Sequence, residues 1–127
     1  MPPKRCPCGT GLTYAECCGR LHDGTSTAAT AEQLMRSRYS AFVVGDACYL
    51  QGTWDPATRP RSPDLDPTVR WTGLEVRATT GGGLFDTEGT VTFRAHSRAG
   101  GQERVQAEHS RFRRVDGRWV YVDGVPG

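Results

Sequence analysis

Two periodicities divide the chain. Ala31, Leu34, Met35, Tyr39, Phe42 and Val43 recur on one side of a 3.6-residue repeat, while Glu32, Gln33, Arg36, Ser37 and Ser40 fall largely opposite. This predicts an amphipathic helix. Thr30 and Gln33 have capping-box spacing, with the Thr hydroxyl set for the amide three residues on and the Gln reaching back. Gly45-Asp46 supplies a break, after which Ala47-Cys48-Tyr49-Leu50 starts a short second helix. Pro56, Pro60, Pro63 and Pro67 make the segment from Asp55 to Pro67 an irregular loop.

From Val69 the period falls to two. Thr72, Leu74, Val76 and Ala78 share one side of a first strand, and Gly81-Gly82-Gly83 marks a turn. A second strand runs around Gly89 to Ser97, with Val91, Phe93 and Ala95 alternating against Thr90, Thr92, Arg94 and His96. After an Ala99–Gln102 hairpin, a third strand spans Arg104 to Val115. It sets Val105 and Ala107 against Gln106, Glu108, Ser110 and Phe112. Asp116-Gly117 is a two-residue hairpin signal, and Arg118 to Val122 closes the sheet. Helices followed by hairpin-linked strands predict an α+β fold, with helices on one face of an antiparallel sheet.

The 127 residues suit one domain with an appendage. Arg20 to Ala29 is polar and small, a linker or a loop lying on the main domain. The first twenty-odd residues cannot bury a core of their own, yet they hold four of the five cysteines: Cys6, Cys8, Cys17 and Cys18. A C-x-C pair and a C-C pair each offer two sulfurs to one side of an ion, which suits a tetrahedral four-thiolate Zn²⁺ site. Gly9 and Gly11 permit the positive φ that a chain wrapping an ion needs. Four protein ligands leave no open position, so the expected zinc is structural and not catalytic.

Disulfides would need an oxidising compartment. Met1-Pro-Pro-Lys-Arg-Cys has no apolar signal region and no stretch reaches membrane-span length, so a cytoplasmic location is expected. A redox C-x-x-C beside a βαβ pattern is missing as well. The 16 Lys and Arg exceed the 14 Asp and Glu by two, and four thiolates with one Zn²⁺ bring back −2, so the loaded chain is near neutral. That balance does not describe a generally cationic nucleic-acid binder.

Several stretches carry a family likeness. They are Cys6-Pro-Cys8-Gly9-Thr10-Gly11 through Cys17-Cys18-Gly19, Ala31 to Phe42, Thr53-Trp54-Asp55-Pro56, Trp71 to Glu75, Glu88 to Val91, Glu108 to Phe112 and Gly117 to Gly124. The first resembles the SEC-C zinc motif, and the rest resembles the YchJ-like family of bacterial proteins. Thr10 stands where serine is usual, keeping the hydroxyl. The second cysteine motif that some relatives carry at the C-terminus has no counterpart before Gly127. The resemblance implies a zinc-binding motif over 1–22 and, over 23–127, a domain like nuclear transport factor 2, a curved antiparallel sheet wrapped around helices. It implies zinc on the four cysteines and no particular reaction.

Folds of this shape often hold a pocket between helices and the concave sheet face. Arg38, Tyr39, Trp54, Trp71, Glu75, Glu108, Ser110 and Trp119 are the candidates to line it. Glu108 is either a general base or ligand anchor, or half of a structural ion pair with Arg38 or Arg94. His22 offers a substitute metal ligand that four thiolates make unnecessary. His96 and His109 sit on neighbouring strands, but alternation separates His109 from Glu108. Cys48 reads as a buried apolar residue. Arg111, Arg113, Arg114 and Arg118, with Phe112 and Trp119 interleaved, offer either an RNA contact or a solvated hairpin end. The leading expectation is a non-enzymatic zinc protein whose motif meets a protein or ribosomal partner. The alternatives are a small-molecule enzyme built on the pocket and an RNA binder.

Overall fold

A computed structural model describes residues 4–63 and 65–127. Residues 1–3, and Asp64 inside the expected proline-rich loop, lie outside the described residues. Three helices, α1 (Cys18–His22), α2 (Ala31–Val44) and α3 (Ala47–Gly52), precede four strands: β1 (Arg70–Gly81), β2 (Glu88–Ala99), β3 (Gln102–Val115) and β4 (Arg118–Pro126). The strands form one antiparallel meander in the order β1-β2-β3-β4. The α+β architecture is as expected.

The capping signal acts with one difference. The Gln33 amide bonds the Thr30 hydroxyl at 3.1 Å, but the Gln33 side chain accepts from the Ala29 amide at 2.6 Å, one residue further back than a capping box places it. Gly45 ends α2 in the left-handed conformation, and Asp46 caps α3 by accepting from the Tyr49 amide at 3.0 Å. The apolar side of α2 (Ala31, Leu34, Met35, Tyr39) meets Val91, Phe93, Ala95, Phe112 and Trp119 of the sheet in the main core.

The polar side of α2 departs from its amphipathic reading. Ser37 and Ser40 are wholly buried, whereas Val43 is exposed. The reason is a second layer that helical periodicity cannot anticipate: the cysteine-bearing segment and α3 lie on that side. Ser37 Oγ donates to the Leu34 carbonyl at 2.7 Å, so the Tyr49 hydroxyl, also 2.7 Å away, donates to it. Cys48 is exposed, correcting the expectation of burial. On the short α3 it is Leu50 that is fully buried, and the outward position falls to Cys48.

The sheet is interrupted where strict alternation fails. Register shifts at Trp71/Gly73 and Val76/Ala78 turn Trp71 inward with Leu74 and Val76, and leave Thr72 and Ala78 exposed. On β3 the inward set is the one with Ser110 and Phe112, while Val105 is exposed. After α3 the chain pairs with β4: the Tyr121 amide reaches Thr53 O at 2.8 Å, and the Asp55 amide reaches Tyr121 O at 2.7 Å. Asp55, 2% exposed, is gripped through both carboxylate oxygens by Arg113.

Candidate metal centre and interior cavity

The cysteine segment closes on itself before it meets anything else. The Cys6 amide bonds Leu12 O at 2.8 Å and the Tyr14 amide bonds Lys4 O at 3.0 Å, making a small loop whose tip turns at Gly9 and Gly11, both with φ of 87°. The second sulfur pair lies at the start of α1. The four sulfurs lie within 4.8 Å of one another, with Cys8–Cys17 at 3.6 Å and Cys17–Cys18 at 3.9 Å. A tetrahedral ion with metal–sulfur bonds of about 2.3 Å needs sulfur–sulfur edges of about 3.8 Å, so the spacing fits. All four cysteines are free thiols.

The electrostatics suit a cation. Donation from the Cys18 thiol holds Cys8 down at about 4, and the same sharing pushes Cys18 far above the usual thiol range. Burial raises Cys17. One thiolate is thus stabilised mainly by borrowing a neighbour's proton, whereas a divalent ion among them favours ionisation of all four. The Thr10 hydroxyl lies 3.2 Å from Cys17 Sγ and 3.6 Å from Cys8 Sγ, and Ser40 Oγ lies 3.5 Å from Cys6 Sγ. The Thr10 hydroxyl can donate to Cys17 Sγ, and Ser40 can donate to Cys6 Sγ, which softens the charge on those sulfurs.

The cysteine cluster is seated on the domain. Arg36 of α2, held by Glu32 at 3.0 Å, donates to Cys8 O at 2.6 Å. His22 bridges the two layers: Nδ1 accepts from the Tyr14 hydroxyl at 2.6 Å and Nε2 donates to Ser37 O at 2.8 Å. His22 is therefore a clamp between the cysteine segment and α2, and both its ring nitrogens are spoken for. Sequence alone left Arg36 and Ser40 out of the site because their contacts cross between layers.

On the opposite side of α2, between helix and sheet, lies a cavity of about 320 Å³. Arg38, Tyr39, Trp54, Trp71, Glu108 and Ser110 line it, together with Met35, Phe42, Phe93, Ala95, Gln106 and Tyr121. Two of the expected lining residues lie elsewhere. Glu75 is on the outer sheet face beside His96, 3.6 Å away, because the β1 bulge sends its neighbours Leu74 and Val76 inward instead. Trp119 is buried near the start of α2, its Nε1 donating to Ala29 O at 3.2 Å. Tyr121, two residues on, takes the place beside the cavity, which strand alternation from Trp119 would have indicated.

Arg38 is 5% exposed. Its Nη1 donates to Leu50 O at 2.9 Å and Thr53 Oγ1 at 2.7 Å, and its guanidinium lies over the rings of Trp54 and Tyr121 at 5.0 and 4.7 Å. Burial pulls its pKa down to about 10, so it stays charged at neutral pH. Glu108 forms no ion pair among the described residues, with Arg38 or with the outward-facing Arg94. Its Oε1 accepts from Ser110 Oγ at 2.8 Å and the Tyr121 hydroxyl at 3.0 Å, and its Oε2 from Gln106 Nε2 at 3.0 Å. Burial, and then the Glu108 charge, raise Tyr121, which keeps the phenol protonated and donating. His109 bonds Thr92 at 2.7 Å, and the strand pairing sets it across from Thr92, away from Glu108. A larger depression of about 660 Å³ lies by α3 and the β3–β4 turn, where its charged residues Arg59, Asp116 and Arg118 are exposed.

Three of the four hairpin arginines are engaged within the fold, and Arg118 is exposed. Arg111 pairs with Asp123 through two bonds, Arg113 holds Asp55, and Arg114 donates to Asp86 O and Leu84 O while its guanidinium lies 4.6 Å over the Trp119 ring.

Comparison with known proteins agrees with this geometry. Residues 3–20 match the SEC-C motif, and residues 30–124 match the family described as YchJ, middle NTF2-like domain. The chain belongs to this YchJ-like family. It is 60% identical to UPF0225 protein SCO1677 of Streptomyces coelicolor, over 98% of this chain and 97% of that one. A UPF0225 protein of Deinococcus radiodurans is 43% identical over 96% of this chain and 89% of the relative. The solution structure of a SEC-C motif containing protein from Rhodopseudomonas palustris superposes with a TM-score of 0.85 at 38% identity, covering 96% and 98% of the two chains. A crystal structure of a SEC-C motif containing protein from Psychrobacter arcticus gives 0.77 at 30% identity, covering 96% and 82%. SEC-C motifs generally bind metal, and the YchJ-like chain described here carries a four-cysteine cluster able to do so. No helix is long and apolar enough to cross a membrane among the described residues.

Proposed function

We propose that this YchJ-like protein holds one structural Zn²⁺ on Cys6, Cys8, Cys17 and Cys18, and that the loop folded by the ion docks on a protein or ribosomal partner in the cytoplasm. The carrying observation is four sulfurs gathered within 4.8 Å on a segment too short to bury a core. Filling the site with four sulfurs leaves no open coordination position, so the ion contributes folding energy and shape and offers no Lewis acid to a substrate. The tip it would stabilise exposes Gly9, Thr10, Gly11 and the apolar Leu12, with Lys4, Arg5 and Arg20 nearby on the same segment. An exposed apolar residue on a segment with three exposed cations, and with the Glu16 carboxylate in the same depression, suits a partner surface that is part apolar and part charged.

Elemental analysis of the purified protein is expected to return one zinc per chain. Affinity capture and ribosome sedimentation then compare the parent with Leu12→Glu, which keeps all four ligands, and with Cys17→Ser/Cys18→Ser. Leu12→Glu should keep its zinc and its melting temperature yet lose the captured partner. A partner retained by both variants, or joined sulfurs in place of zinc, overturns the proposal.

A further inference from the structure

The cavity on the far side of α2 carries features that the metal centre does not use. Its two charged groups lie at either end of one side chain: the Arg38 guanidinium sits over the Tyr121 ring and the Glu108 carboxylate takes the Tyr121 hydroxyl. Trp54 and Trp71 contribute flat apolar walls. Trp54 Nε1–H, buried, has no hydrogen-bond partner among the described residues. Glu108 receives three bonds, and a carboxylate has room for about four, so one acceptor position on Oε2 is free.

The site is built around that carboxylate. A Cβ on Gly124 would come within 2.7 Å of Glu108 Cδ and 2.9 Å of its Cγ, so the bare backbone of β4 is what lets the side chain lie where it does. The charge state narrows the ligand. Arg38 and Glu108 cancel, so an added cation is repelled at one end, an added anion at the other, and either loses its hydration on entering. A neutral ring meets no such cost, stacks on the indoles, and can donate to the free acceptor position on Glu108.

We propose that this cavity binds a small, neutral, planar heterocycle of one or two rings, whose edge sets a hydrogen-bond donor toward Glu108 beside an acceptor for Arg38. A ring carboxamide and a lactam such as that of a nucleobase are the chemical classes with such an edge. The cavity volume of about 320 Å³ lies at the lower end of ligand pockets, in keeping with a fragment of this size.

Nicotinamide is the probe, added to the metal-loaded, ¹⁵N-labelled full chain, with toluene, benzoate and benzamidine as apolar, anionic and cationic counterparts. The three indole N–H signals report the site. Nicotinamide should shift Trp54 and Trp71 saturably, in the millimolar range normal for so small a fragment, and leave Trp119 in place. Glu108→Gln, which keeps volume and three of the same neighbours, should weaken binding roughly tenfold with no change in melting temperature. Gly124→Ala, whose added Cβ would displace the carboxylate, should weaken it similarly. The proposal is overturned if no probe gives a saturable shift up to about 20 mM. It is equally overturned if toluene or either charged probe binds as tightly as nicotinamide, or if Glu108→Gln binds nicotinamide as the parent does.

Discussion

Gly19 offers the sharpest check on the metal centre, because two known effects of Gly19→Ala oppose each other. The residue lies in α1 with backbone that any side chain tolerates. On helix propensity alone, alanine would stabilise by about 1 kcal/mol. The surroundings decide otherwise. The new Cβ would stand 2.7 Å from Tyr14 O and 3.0 and 3.1 Å from the Cε2 and Cδ2 of its ring. That oxygen cannot retreat cheaply, since it accepts from the Cys17 amide at 3.1 Å and the Gly19 amide at 2.8 Å. Nor can the ring swing freely, with its hydroxyl on His22 at 2.6 Å. Overpacking of this kind costs about 1–3 kcal/mol, and displacing the Tyr14–His22 bond adds about 1 kcal/mol, so the net loss is expected at about 1–3 kcal/mol after the propensity gain. Because Cys17 and Cys18 flank the site of strain, the loss should be felt as metal affinity weaker by about 5- to 150-fold. A competition titration against a chromogenic chelator measures it, with thermal melts of the loaded protein alongside. Gly52→Ala is the matched control: it also lies in a helix, and nothing stands within 4 Å of its added Cβ. It should be neutral or stabilising by up to about 1 kcal/mol. Equal metal affinity and equal melting for Gly19→Ala and the parent would refute the reasoning.

Stripping the metal with a chelator should destabilise the whole domain, since the cysteine segment covers α2. Losing the bonds Arg36–Cys8 O and His22–Ser37 O, at about 1 kcal/mol each, predicts a melting drop of roughly 5–8 °C and faster amide exchange at Ser37, Ser40 and Ala41; an unchanged melt contradicts this. Arg38→Met keeps the unbranched stem of the side chain but leaves the buried Leu50 carbonyl without that donor and removes the charge stacked on Trp54 and Tyr121, for an expected loss of about 3 kcal/mol by chemical denaturation. Donation from Arg113 holds the Asp55 carboxyl below its ordinary range. A depressed folded-state pKa gives stability that is present above the unfolded value of about 3.9 and disappears as pH falls through the folded value. The stability gap between parent and Asp55→Asn should therefore be full at pH 6 to 8 and shrink below about pH 4; a gap independent of pH would show that the carboxylate charge is not what Arg113 holds.

Local chemistry was legible in the chain, and contact between layers was not. The four-cysteine cluster could be named because two sulfur pairs and their glycines lie within a few residues, so the loop needs nothing from elsewhere to bring them together. The Thr30 cap, the Gly45 stop and the Asp116-Gly117 turn are likewise decided by neighbours, and all lie where their residues imply. Ser37 and Ser40 misled because periodicity assumes one buried side, and α2 has two: sheet on one, cysteine segment and α3 on the other. Glu75 misled because one extra residue at Trp71–Gly73 reverses which side chains face the core, and a bulge leaves no mark in a pattern of alternating residues. The family likeness pointed to a pocket and to six of its lining residues, Arg38, Tyr39, Trp54, Trp71, Glu108 and Ser110, but the arrangement of the cavity belongs to the tertiary structure. Arg38, Trp54, Glu108 and Tyr121 come from α2, the segment after α3, β3 and β4, and only the packing of those elements puts a guanidinium, two rings and a carboxylate around one space. Sequence determines what each segment can be, since propensity and ligand chemistry act over a few residues. Which faces meet, and therefore which polar groups are shut away from water, is decided only when the layers close.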